Sequence, residues 1–203
     1  GNKGLLVSTL DAFARYQKTD AWTWEHQALV RARFVAGDDD LKANFAQVRH
    51  DILCLPRELE PLQTAVRDMR HKMRDHLATS EFVAEQSDLF NLKQDPGGIV
   101  DIEFIVQFGV LAWAQYYPDL TKWSDNVRIL EDLRTVGFLS DAETEQLLTA
   151  YLAFREKAHA MMLQKASVKA LSASALTDLA PHRANVTAVW QRVMEGAIKA
   201  PAK

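Results

Sequence analysis

Apolar residues recur at intervals of three and four along most of the chain, and stop signals fall at helix-length spacing, so the sequence predicts one helix after another from Ser8 onward. Ser8 is a candidate cap for a first short helix carrying Leu10, Phe13 and Tyr16; Asp20 is one for a second, from Trp22 to about Val35, before Gly37. The Asp38 to Asp40 cluster starts a third helix, which Pro56 forces to end near Leu55, and a fourth follows from about Glu58 to Ala78. The pattern fails between Glu85 and Gly98, where Phe90-Asn91-Leu92-Lys93 suits an extended segment and Asp95-Pro96-Gly97-Gly98 a turn.

The run Ile99 to Tyr117 is apolar nearly all round, as expected of a helix enclosed by neighbours, and belongs at the centre of a bundle. Pro118 should end it, Ser124 or Asp125 should cap the next helix, and Gly137 should close that one. A long helix from Asp141 carries the stripe Leu147, Tyr151, Phe154, Ala158 and Met161. Ser167 to Ala180 is Ser- and Ala-rich with weak periodicity, and a last helix holds Val186, Val189, Trp190 and Val193. Short connections between long helices favour an up-and-down antiparallel bundle, so the expected fold class is all-α. The run Gly4 to Ser8 reads as a short strand with no partner, the remnant of a sheet upstream or an ordinary tail. The expected domains are therefore a remnant with its connecting helix over 1–20 and a helical bundle over 21–200.

Composition narrows the function classes. With 24 Lys plus Arg against 27 Asp plus Glu, a net charge of -3 gives no electrostatic case for nucleic acid or an anionic membrane surface. The single cysteine, Cys54, excludes an internal disulfide and a cysteine zinc cage, which fits a reducing cytosol. No stretch reaches the uncharged length that a membrane span needs.

Three segments carry candidate chemistry. In Trp22 to Arg33, helical spacing lines up Trp24, Gln27 and Arg31: a flat apolar surface, an amide and a guanidinium able to hold a purine and a phosphate. The same residues also suit a half-buried helix whose tryptophans fill the core while its arginines pair with carboxylates. In Lys93 to Phe104, the double glycine Gly97-Gly98 precedes a helix start that can bind an anion, unless Asp101 satisfies its amides. Asp101 and Glu103 stand two apart on a helix, so they point to nearly opposite sides. That spacing disfavours a shared metal and suggests that one is buried against an arginine such as Arg31 or Arg33. In Thr121 to Arg128, polar residues at a helix start lie beside Trp123, which is weak by itself. The six histidines show no ligand spacing.

Taken in order, Trp24-Glu25-His26-Gln27-Ala28-Leu29-Val30-Arg31-Ala32-Arg33, then Lys93 with Gly97-Gly98-Ile99-Val100-Asp101-Ile102-Glu103-Phe104, then Trp123-Ser124-Asp125-Asn126-Val127-Arg128-Ile129-Leu130, closely resemble the bifunctional glutamine synthetase adenylyltransferase/adenylyl-removing enzymes. The Trp-Glu-His-Gln and Val-Asp-Ile-Glu-Phe forms are similar to the C-terminal, adenylylating half. The resemblance implies a helical bundle of the substrate-binding, PII-uridylyltransferase-like type behind a nucleotidyltransferase sheet. It also implies transfer of AMP from ATP to a tyrosine of glutamine synthetase with Mg2+, in the cytoplasm, under control of glutamine and the PII signal protein. The family's Gly-Ser turn and catalytic aspartates have no counterpart in these residues, and the resemblance implies that Gly1 falls just beyond the strand bearing the last of them. The expectation is a fragment inactive alone, holding neither ATP nor Mg2+, whose partners are the upstream nucleotidyltransferase domain, glutamine synthetase and PII protein. Trp24, Glu25, Gln27, Arg31, Arg33, Lys93, Gly97, Gly98, Asp101, Glu103, Asn126 and Arg128 become candidates for the nucleotide or substrate cleft or for contact between domains. A regulatory module for PII protein or glutamine, and a structural spacer, are the alternatives.

Overall fold

The computed structural model describes residues 7–77, 90–164 and 177–201. Most of the strand expected at Gly4 to Ser8, the first part of the irregular segment after Glu85 and most of the Ser- and Ala-rich stretch fall outside these residues. Within them the fold is helical throughout, with no β-sheet: α1 Leu10–Thr19, α2 Thr23–Arg31, α3 Asp39–Leu53, α4 Leu59–Leu77, α5 Ile99–Trp113, α6 Asn126–Thr135, α7 Asp141–Leu163 and α8 Ala180–Trp190. A 3-10 turn, Pro118–Thr121, leads into α6, and a π-turn, Gln191–Glu195, extends α8.

Helix α5 is the axle. It packs against α2, α4, α6, α7 and α8, and every residue in it is buried except Ile99, Glu103 and Gln107. Those three recur every fourth residue and form one less buried stripe, polar at Glu103 and Gln107, on a helix otherwise enclosed as expected. Each fully enclosed Leu, Ile or Phe of α5 contributes about 1.5–3 kcal/mol of transfer free energy, which makes this helix the main source of cohesion. The expected stripe on α7 is the core face: Leu147, Tyr151, Phe154 and Met161 are buried, with Ala158 packed beside them.

The capping residues explain where the boundaries differ from expectation. Thr9, rather than Ser8, caps α1 by accepting from the Ala12 amide. Asp20 ends that helix instead of starting the next. α2 begins after Trp22, whose amide donates to the Glu25 carboxylate at 2.9 Å. It stops at Arg31, four residues short of Val35: Ala32 turns to extended backbone with its amide bonded back to Leu29, and the buried guanidinium of Arg49 donates to the carbonyls of Leu29 and Val30 in the last turn. α5 stops at Trp113 before the chain reaches Pro118, which starts the 3-10 turn. Asp125, one of the two expected caps, accepts from the Arg128 amide. Bonds from Gly137 to Arg134 and from Phe138 to Leu133 close α6. Phe90 keeps the extended, bridge-type backbone expected of it, but the chain turns tightly at Leu92 to Gln94, where the Asn91 side chain accepts from the amides of Lys93 and Gln94.

His26 ties α2 to α1 and to the loop that joins α3 to α4. Its Nε2 lies 2.9 Å from the Gln17 carbonyl of α1, and its Nδ1 faces a guanidinium nitrogen of Arg57 at 3.3 Å. A guanidinium can only donate, so Nδ1 must accept and the ring is neutral with its proton on Nε2. Burial, reinforced by the Arg57 charge, pulls its pKa below the ordinary 6.5. Below that value the unfolded chain takes up a proton that the folded ring refuses, so the contribution to stability is present above pH 6.5 and is lost as pH falls. Urea midpoints measured across pH should therefore drop on the acid side of 6.5 in the native chain, and less steeply in His26→Gln.

Candidate functional site

The polar stripe of α5 is covered by α2, running antiparallel to it. Gln27 donates to the Gln107 side chain at 2.9 Å, and one turn on Arg31 reaches Glu103 at 3.5 Å. The same Arg31 nitrogen donates at 2.6 Å to Oδ1 of Asn126, the first residue of α6. One guanidinium thus gathers the ends of three helices. Asn126 is 1% exposed and Gln27 3%, whereas the side chains of Arg31 and Glu103 keep 32% and 27% of their exposure, so the seam opens to solvent at that ion pair. Three buried atoms in it, Gln27 Oε1, Arg31 Nε and Asn126 Nδ2, have no hydrogen-bond partner among the described residues. Next to it the Arg128 guanidinium lies 3.8 Å from the Trp123 ring centroid and donates to Asp125 at 2.6 Å.

Asp101 points to the other side of α5, as its spacing from Glu103 requires. It is 1% exposed and paired with two arginines one turn apart on α4: Arg70 Nε at 2.6 Å, and Arg74 Nη2 at 2.9 and 2.8 Å to its two oxygens. The Gly97 amide donates to the same carboxylate at 2.8 Å. The amides of Ile99 and Val100 donate to the carbonyls of Leu92 and Lys93, and those of Gly98 and Asp101 to Asp95 and Gly98. The helix start therefore has its first donors occupied. Gly97 has φ +79°, and a Cβ there would stand 2.6 Å from the Arg183 backbone oxygen of α8, so both its conformation and the close approach of that helix require glycine. A Cβ on Gly98 would meet the Leu92 carbonyl oxygen at 2.7 Å.

The candidate residues thus separate into groups. Gln27, Arg31, Glu103 and Asn126 meet in the seam, with Arg128 beside it. Trp24, half exposed, stands one turn before Gln27 on α2. Gly97, Gly98 and Asp101 form the turn on the opposite side of α5, with Lys93 exposed at its edge. Glu25 serves α1 and α2 by accepting from the Tyr16 hydroxyl at 2.7 Å and from the Trp22 amide. Arg33 is exposed beyond the end of α2. The partners of Asp101 are thus Arg70 and Arg74, and it is Glu103 that meets Arg31. With both Asp101 oxygens taken by guanidinium and amide donors and Glu103 on the other side, this donor set does not fit a divalent cation.

Sequence reasoning missed Arg70, Arg74, Arg49 and Gln107. A signal did exist for Arg70. It follows Leu62 and Val66 at four-residue steps along the buried stripe of α4 and is itself fully enclosed, and an arginine at an apolar position calls for a buried carboxylate. Replacing Asp101 by Asn removes the charge while keeping the shape, leaving Arg70 enclosed without its counter-ion. Urea unfolding of Asp101→Asn should show a loss of about 3–5 kcal/mol, the range for breaking a buried pair from one side.

Residues 1–48 match the family model for glutamate-ammonia ligase adenylyltransferase, and residues 65–186 that for GlnD PII-uridylyltransferase. A bifunctional glutamine synthetase adenylyltransferase/adenylyl-removing enzyme of Methylococcus capsulatus is 46% identical over 98% of the chain. The enzyme of that name from Pseudomonas aeruginosa is 50% identical over 81% of it. The chain spans about a fifth of these relatives, 20% and 18% of their lengths. Across the three segments on which the resemblance rests and the helical unit that carries them, the chain belongs to the glutamine synthetase adenylyltransferase/adenylyl-removing enzyme family.

Proposed function

We propose that this chain is the C-terminal helical domain of an enzyme that attaches AMP from ATP to a tyrosine of glutamine synthetase and removes it again, and that the seam at Arg31 lines the nucleotide or substrate cleft. The observation that carries this reading is the meeting of two of the resembling segments with the Glu103 end of the third around one guanidinium that is still open to solvent. The exposed part of the Arg31–Glu103 pair is what a ligand or neighbouring domain could reach. Arg31 is suited to an anionic oxygen, whether from ATP or from a neighbouring domain.

On this reading ATP and Mg2+ are held by the nucleotidyltransferase domain of the longer enzyme, where the metal would stabilise charge developing on the transferred phosphoryl group. This domain orients what is bound there and excludes water from one side. Glutamine synthetase is the protein substrate and the PII signal protein a partner of the whole enzyme, which works in the cytoplasm. The 203-residue chain by itself transfers no AMP.

The test is AMP transfer to glutamine synthetase by the complete adenylylating half, comparing Arg31→Ala with the native protein after circular dichroism has shown equal folding. The rate per folded enzyme should fall at least about tenfold, since a misplaced wall of a reaction cleft costs up to about a hundredfold. An unchanged rate would assign Arg31 to packing and sink the cleft reading.

A further inference from the structure

Arg49 is 7% exposed, and no carboxylate stands within ion-pair distance of it among the described residues. Its guanidinium instead donates to four backbone carbonyls on two separate stretches of chain. On the last turn of α2 these are Leu29 at 3.0 Å and Val30 at 2.6 Å; on the turn leading into α6 they are Thr121 and Trp123, the latter at 2.9 Å. The next residue of α3 does the same work, since the His50 ring lies 2.8 Å from the Thr121 hydroxyl.

The carbonyls at the end of α2 are the negative end of its dipole, so a cation there is favoured twice, by charge and by hydrogen bonding. An apolar residue of similar volume would avoid desolvating a guanidinium, but it would strip the carbonyls of Val30, Thr121 and Trp123 of the donor they now have. The two clamped stretches end one and three residues before Arg31 and Asn126, the pair that meets at 2.6 Å. Among the described residues, no other side chain hydrogen-bonds to both of these backbone stretches.

We infer that Arg49 is a positioning residue for AMP transfer: by clamping the end of α2 to the turn before α6 it sets Arg31 against Asn126 and holds the open edge of the seam in place. Its consequence for catalysis rests on the cleft reading of Arg31 given above. Its consequence for geometry does not.

The experiment joins two readouts on Arg49→Met and Arg49→Lys. In the 203-residue chain, 15N NMR follows the side-chain amide of Asn126, assigned with Asn126→Ala. In the complete adenylylating half, AMP transfer is measured per folded enzyme, with Arg31→Ala and the Arg31→Ala/Arg49→Met double variant alongside. The expected result is that both Arg49 variants fold and both shift the Asn126 amide signals, because a lysine cannot span four carbonyls. The transfer rate of Arg49→Met should fall about tenfold or more, and the double variant should be no slower than the slower single one. If Arg49→Met does not fold, Arg49→Lys carries the same comparison. Unmoved Asn126 signals in the folded variant would overturn the inference whatever the rate. So would shifted signals with a native rate, provided Arg31→Ala is slow. A silent Arg31→Ala would instead remove the cleft reading and overturn the catalytic part of the inference with it, leaving the NMR to decide the geometry alone.

Discussion

Asp101 stands on the first turn of the most enclosed helix with 1% of its surface exposed, and the groups around it are what make a charge tolerable there. Two guanidiniums from α4 and one amide from the turn before α5 are spent on this carboxylate. The excess positive charge is dispersed in turn. Arg70 also donates to the Gln94 carbonyl at 2.6 Å and lies 6.0 Å from the Phe104 ring. Arg74 lies 5.1 Å from the ring of Trp190 on α8. A buried pair of this kind is poor evidence for net stability, because a packed apolar cluster does as well without the desolvation cost. What it supplies is register: α4, α5, α8 and the double-glycine turn can meet in only one arrangement that leaves no charge unpaired.

That arrangement frees the opposite side of α5 for a different task. Glu103 is only two residues further on, yet the helical rotation carries it to the half-exposed stripe beneath α2, where it meets Arg31. One short segment therefore holds both a locked carboxylate and an accessible one. The accessible one sits beside the end of α2, which Arg49 ties to the turn before α6 through backbone carbonyls. The backbone of the seam is thus tied at both stretches, while Arg31 and Glu103 keep part of their surface open to solvent.

Much of this was legible in the sequence, and the gaps have a common cause. The uniform apolar character of Ile99 to Trp113 gave away the central helix, because a helix with no polar face has no stable place at a surface. The opposed directions of Asp101 and Glu103 followed from the helical period alone. The position of Arg70 among apolar residues of α4 was equally readable, but it went unread because long charged side chains are so often solvated. No local signal marked Arg49, whose acceptors are backbone carbonyls 19–20 and 72–74 residues away. For the same reason the early end of α2 could not be foreseen: the residue that binds its last carbonyls lies on another helix.

By itself the sequence determined the all-helical class, the order of the helices, the central place of α5, the turn at Gly97 and Gly98, and the family to which these residues belong. Each of these is written in periodicity, in residues with restricted backbones, or in motif order, all of which act over a few positions of chain. Only the tertiary structure decided which arginine meets which carboxylate, where α2 ends, and that Arg31 and Asn126, 95 residues apart, share a hydrogen bond. Pairings of that kind depend on how helices cross and on which polar groups burial forces together, and a linear pattern carries no record of either.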